Sequence, residues 1–115
     1  MTYETEIIEG AAIVRCRGAI VWGEQTTEFH LYMKDLLIQS PTIVLNLEGV
    51  PYLDSSGMGM LIGVYVSAVR GGGKLKLVAL TRKVQRALTV SRLLALFEVY
   101  KDEASAVASY KPHSA

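Results

Sequence analysis

Thr42-Ile43-Val44-Leu45-Asn46-Leu47, followed four residues later by Tyr52-Leu53-Asp54-Ser55-Ser56-Gly57, decides the fold. The first six residues form a nearly continuous apolar run rich in β-branched side chains, which fits a strand covered on both faces. The second six open a helix predicted over 55–70, whose first turns carry no charge. Two neighbouring hydroxyls thus stand at a helix N-terminus, where unpaired backbone N–H groups and the helix dipole favour an anion. A phosphate on serine is tolerated in such a place, which points to a switch more than to a catalyst. Asp and Ser are also good capping residues, so plain capping of the helix is the competing reading.

Outward from this centre, strands and helices alternate. Ile7-Ile8, Glu9-Gly10 and the run Ala11 to Arg17 form a hairpin, with Val14 and Cys16 alternating against Arg15 and Arg17 as in a half-exposed strand. Gly18 and Gly23 bracket an irregular connection that holds Trp22. Phe29, Tyr32, Met33, Leu36 and Leu37 then recur at helical spacing, with His30 on the exposed side, until Ser40-Pro41. Gly71-Gly72-Gly73 stops the second helix, and Leu75 to Val78 is a strand. Thr81 is expected to cap a third helix carrying Val84, Ala87 and Leu88 inward. Leu96 to Tyr100 is expected as the last strand, and Asp102 as the cap of a fourth helix with Ala104, Val107 and Ala108 inward. The expected architecture is α/β: a mixed sheet, antiparallel at first and then parallel, with about four helices. A single domain over 1–115 is expected, with an ordered core of about 3–110 and a flexible tail from Tyr110 through 111–115.

Composition narrows the function. Twelve basic and eleven acidic side chains leave a net charge of +1, which offers no electrostatic footprint for nucleic acid. The apolar tract over 57–69 is too short to span a bilayer, and no secretory leader is visible, so a cytoplasmic protein without membrane insertion is the expectation. The single Cys16 excludes an internal disulfide and is expected to be a buried, inert thiol. No His, Cys or carboxylate cluster has metal-ligand spacing, and no cofactor is implied.

Several patterns suggest chemistry and fail on inspection. A serine hydrolase at Ser55 or Ser56 needs a histidine base and an orienting acid, and the sequence around them is not Gly-x-Ser-x-Gly. Gly71-Gly72-Gly73-Lys74 leaves a helix and enters a strand, the reverse of a phosphate loop. Arg82, Lys83, Arg86 and Arg92 make a modest basic cluster, best read as a solvated face.

The second helix carries more apolar surface than one core face needs. Met58, Leu61, Ile62, Tyr65, Val66 and Val69 make an inward stripe, yet the remaining positions are Gly59, Met60, Gly63, Val64, Ser67 and Ala68. Either the helix is buried all round or one side docks another protein. Interior glycines cost about 1 kcal/mol each relative to Ala, so Gly59 and Gly63 favour docking. The expected partner-binding set is Met58, Gly59, Met60, Gly63, Val64 and Ser67.

The run from Ile43 through Tyr52-Leu53-Asp54-Ser55-Ser56-Gly57-Met58-Gly59, with Gly72 to Leu77 and Leu96 to Tyr100, resembles the STAS family, specifically the small anti-sigma factor antagonists of bacteria. The likeness covers essentially the whole chain. It implies a non-enzymatic protein in which Ser56 is phosphorylated by a kinase that doubles as an anti-sigma factor, with Asp54, Ser55 and Gly57 as close neighbours. The unphosphorylated form would bind that kinase and free its sigma factor, and a metal-dependent Ser/Thr phosphatase would reset it. A monomer or weak dimer is expected. Two departures stand out: Gly18-Ala19-Ile20-Val21 lacks the family's acidic residue, and Asn46 replaces its strand-end Asp. The alternative within the resemblance is an accessory subunit of a lipid-transport or other membrane assembly, docked constitutively by the same helix.

Overall fold

The structure, a computed structural model, describes residues 1–110. The order is β1 (Thr2–Ile8), β2 (Ala11–Arg17), α1 (Glu24–Gln39), β3 (Thr42–Gly49), α2 (Ser55–Arg70), β4 (Lys74–Val78), α3 (Arg82–Val90), a short 3₁₀ turn (Leu94–Leu96), β5 (Glu98–Tyr100) and α4 (Glu103–Tyr110). The five strands form one sheet in sequence order, with β1 antiparallel to β2 and every later neighbour parallel. The mixed α/β sheet read from the sequence is therefore the fold.

Strand alternation divides the core in two. Ala12, Val14, Cys16, Ile43, Leu45, Leu47, Leu75 and Leu77 face one way, onto Phe29, Met33, Leu61, Val64, Val84 and Leu88 of α1, α2 and α3. Ala11, Ile13, Val44 and Val78 face the other way, onto Ala106 and Val107 of α4. Successive strand residues point to opposite faces, so covering both faces produces the uninterrupted apolar run of β3. The same holds for β2, whose first four residues are all buried rather than alternately exposed.

Four expectations about these elements are corrected. The last strand begins at Glu98, because Leu94–Leu96 coils into the 3₁₀ turn. Thr81 stands at the start of α3, but its hydroxyl donates to the Val50 carbonyl at 2.8 Å and leaves α3 without a side-chain cap. On α4 the buried residues are Ala106 and Val107, while Ala104 and Ala108 are exposed. Tyr110 belongs to that helix: its hydroxyl donates to the Ile43 carbonyl at 2.7 Å and lies 2.9 Å from the Lys74 carbonyl. The expected flexible segment 111–115 lies outside the described residues. Asp102 does cap α4, accepting the Ser105 N–H at 2.8 Å.

Below α4, Lys76 is buried at 3% exposure in the middle of β4. Its ammonium donates to Ser109 Oγ at 2.6 Å and sits 4.1 Å from the centre of the Tyr110 ring. A buried cation needs such partners.

Candidate functional site

The β3–α2 junction is built around one carboxylate. Asp54 is the N-cap of α2, and its Oδ1 accepts the Gly57 N–H at 2.9 Å. Its Oδ2 accepts the Trp22 main-chain N–H, also at 2.9 Å. Backbone bonds run alongside: Ile20 N–H donates to the Tyr52 carbonyl at 3.2 Å, and Asp54 N–H to the Ile20 carbonyl at 3.3 Å. Gly57 lies so close to this connection that a Cβ on it would run into the Ile20 carbonyl oxygen. The N–H groups of Trp22 and then Gly57 hold the Asp54 carboxyl below its ordinary value, by stabilising the charged form.

Ser55 is exposed and Ser56 half-exposed on the first turn of α2. Among the described residues the Ser56 hydroxyl makes no hydrogen bond within the protein. It lines a groove of ≈840 Å³ between the N-terminal ends of α1 and α2, together with Trp22, Glu24, Glu28, His30 and Gly59. Two carboxylates border this groove, and among the described residues no Lys or Arg lines it.

The faces of α2 differ from the expectation in part: Leu61 lies inward and Met58 and Tyr65 pack against the core as expected, but four other residues are reversed. Met60 (4% exposed) and Val64 (0%) point into the core with Leu61 and Ala68, so neither is available to a partner. Val66 and Val69, expected inward, are exposed, Val69 at 58%. The outward apolar stripe is Gly59, half-buried Ile62, Val66 and Val69, and Met58 is half-buried at its edge. The helix is apolar all round, so periodicity alone could not choose which apolar side faces the sheet. Gly63 and Ser67 are half-buried, and the space over Gly63 is filled by His30 of α1.

His30 is thus half-buried between helices rather than on an exposed face. Burial, and then the charge of Lys34, hold its imidazole below the ordinary value. Among the described residues no carboxylate orients His30 and no hydrogen bond joins it to Ser56, so the two do not form a nucleophile–base pair. Trp22, expected only as part of an irregular connection, belongs to the site. It is 82% exposed on the rim of the groove, and its position between two glycines was the available signal. Cys16 is buried as expected, which pushes its thiol up to about 12.

The departure at Asn46 has a structural cause. Its Nδ2 donates to Glu103 Oε2 at 2.6 Å while its Oδ1 accepts the Glu48 N–H at 2.9 Å. Glu103 also takes two bonds from the Arg15 guanidinium, each 2.8 Å, and Arg15 reaches Glu6 at 2.7 Å. An aspartate at 46 would face the Glu103 carboxylate.

No helix among the described residues is long and apolar enough to cross a membrane. No group of three or more His, Cys, Asp or Glu among them could hold a metal ion. The STAS domain model matches residues 2–106. A Paenibacillus polymyxa protein named anti-sigma F factor antagonist is 30% identical over 107 residues, covering 90% of each chain. The Thermotoga maritima protein TM1081 shares the fold at TM-score 0.85 and 23% identity, over 93% of this chain and 92% of that one. The Bacillus cell fate determinant SpoIIAA, in its phosphorylated form, does so at TM-score 0.73 and 18% identity, over 96% of this chain and 100% of that one. With the family match spanning 2–106 and a relative at 30% identity over nine-tenths of both chains, this chain belongs to the STAS domain family, among the bacterial anti-sigma factor antagonists.

Proposed function

We propose that this protein is a phospho-switch that regulates transcription by competitive binding. Unphosphorylated, it binds an anti-sigma factor that is also a serine kinase, and so frees the sigma factor. Ser56 Oγ then attacks the γ-phosphorus of ATP held by that kinase. The bond to the β–γ bridging oxygen breaks, ADP leaves, and the hydroxyl proton passes to a base of the kinase. The phosphorylated protein is released, and a Ser/Thr phosphatase hydrolyses the ester to reset it. The protein itself performs no catalysis.

One observation carries this reading. Among the described residues the Ser56 hydroxyl has no partner and is half-exposed beside an outward apolar stripe, in a groove whose described lining is acidic and not basic. Phosphorylation adds roughly −1.5 to −2 charge. Without a cation to pair it, that charge in an apolar interface costs several kcal/mol. Since about 1.4 kcal/mol is tenfold in affinity, a loss of about two to three orders of magnitude is expected. The anti-sigma F factor antagonist name of the Paenibacillus polymyxa relative and the phosphorylated state of SpoIIAA support the same reading. On this reading the contact surface is Gly59 with Ile62, Val66 and Val69, flanked by Met58, Gly63 and Ser67.

The test is phosphorylation with labelled ATP and the cognate anti-sigma serine kinase. Wild type is labelled and Ser56→Ala is not. Equal labelling of Ser56→Ala overturns the assignment of the acceptor, and absence of any labelling overturns the switch.

A further inference from the structure

The carboxylate that caps α2 also holds the exposed tryptophan. The 18–23 connection has little packing of its own beyond Ile20, which is fully buried against the core. After the Gly18 N–H bond to the Gly49 carbonyl, it is tied down at three points: the backbone bridge from Ile20 to Leu53, the Thr26 hydroxyl donating to the Val21 carbonyl, and Asp54 Oδ2 on the Trp22 N–H. The last is the only one of the three made by an ionised side chain, and that side chain is two residues from Ser56. An exposed tryptophan whose main chain is held in place is a typical interface anchor, because large aromatic contacts dominate binding energy and ordering the backbone beforehand lowers the cost of docking.

We infer that Asp54 is a positioning residue that presents Trp22 to the docking partner, and that a phosphate on Ser56 displaces Asp54 from the Trp22 N–H and releases the loop. The partner is the one named under the proposed function, on which this inference rests, and it offers an apolar pocket for the indole. The dianion enters beside three carboxylates, Asp54, Glu24 and Glu28. Glu24 and Glu28 lie on α1 across the groove, while Asp54 shares the first turn of α2 with Ser56. Phosphate oxygens also compete for the N–H groups of that turn, including the Gly57 N–H that Asp54 now occupies. Like-charge repulsion and this competition act together on Asp54, whose second oxygen then leaves Trp22. Phosphorylation thereby acts twice, by adding charge to the contact face and by loosening its aromatic anchor.

The experiment needs no kinase. The full chain is made with phosphoserine installed at position 56 during synthesis, and compared with wild type and Asp54→Asn. Trp22 is the sole tryptophan, so emission anisotropy reports its loop directly, and NMR reads exchange of the Trp22 main-chain amide. Phosphoserine is expected to speed that exchange at least tenfold and lower the anisotropy, with β3 amides unchanged. Asp54→Asn should give the same loosening without phosphate, and phosphoserine should add little to it. The inference fails if phosphoserine leaves the Trp22 amide and anisotropy unmoved, or if β3 amides accelerate equally. Should Asp54→Asn not fold, the phosphoserine comparison decides alone. Failure of a kinase to label Ser56 overturns the proposed function without altering this measurement.

Discussion

The imidazole of His30 occupies the place where a side chain on Gly63 would begin: a Cβ there would stand 2.6 Å from His30 Cε1 and 2.9 Å from Nε2. Helix propensity favours Ala over Gly by about 1 kcal/mol, but overpacking a tight contact costs about 1–3 kcal/mol. Gly63→Ala is therefore expected to destabilise the protein by about 1 kcal/mol in urea unfolding. In a His30→Ala background the same substitution should become stabilising. A stability gain from Gly63→Ala with His30 intact would show that the two helices do not meet as described.

Gly59 provides the contrast on the same helix. Nothing lies within 4 Å of a Cβ built there, so the substitution gains propensity without a clash. Gly59→Ala is expected to raise stability by about 0.5–1 kcal/mol while weakening the kinase complex, because the added methyl stands on the proposed contact stripe. Calorimetric unfolding reads the first effect and titration with the kinase the second. Unchanged affinity would remove Gly59 from the interface.

The acid side of the stability curve should depend on Glu103. The Arg15 hydrogen bond, aided by that of Asn46, holds the Glu103 carboxyl below its ordinary value despite partial burial. A carboxyl depressed in the folded state contributes stability that is complete above its unfolded value of 4.5 and is lost as pH falls through the folded one. Glu103→Gln should flatten that loss, and cost about 1–2 kcal/mol at neutral pH. Asn46→Asp should reverse the sign locally: the new carboxylate faces Glu103, one proton is taken up, and stability is recovered on acidification. Urea midpoints between pH of about 3 and about 7 decide both, and a Glu103→Gln curve parallel to wild type would count against the network.

Much of this was legible in the sequence because local chemistry and tertiary structure agree. The covered β3, the hairpin at Glu9-Gly10, the Asp54 cap and the Gly71-Gly72-Gly73 stop all follow from residue type and spacing. The illegible parts have a common cause. On α2 every face is apolar, so Met60 and Val64 were placed outward and Val66 and Val69 inward, the opposite of what the sheet selects. On α4 alanine carries too little hydrophobic contrast to reveal that Ala106, not Ala104, faces β3. The site's other half, Trp22 with His30 and Glu28, comes from α1 and the connection before it. No spacing rule links residues brought together only by packing.

The corrected face of α2 gives the sharpest test of the docking surface. Gly59, Ile62, Val66 and Val69 follow one another at three- and four-residue steps, which aligns them along the helix on the side away from Leu61 and Val64. A charge at the exposed Val66 meets solvent in the free protein, where surface substitutions change stability by about 0.5 kcal/mol or less. In the complex it meets the partner's apolar surface, at a cost of several kcal/mol when unpaired. Val66→Glu is thus expected to leave the unfolding temperature nearly unchanged and to weaken kinase binding by about tenfold or more. Met60→Glu should behave oppositely, since a carboxylate at a core position lowers stability before any partner is added. If Val66→Glu binds the kinase as tightly as wild type, the partner docks elsewhere, and the exposed valines of α2 need another explanation.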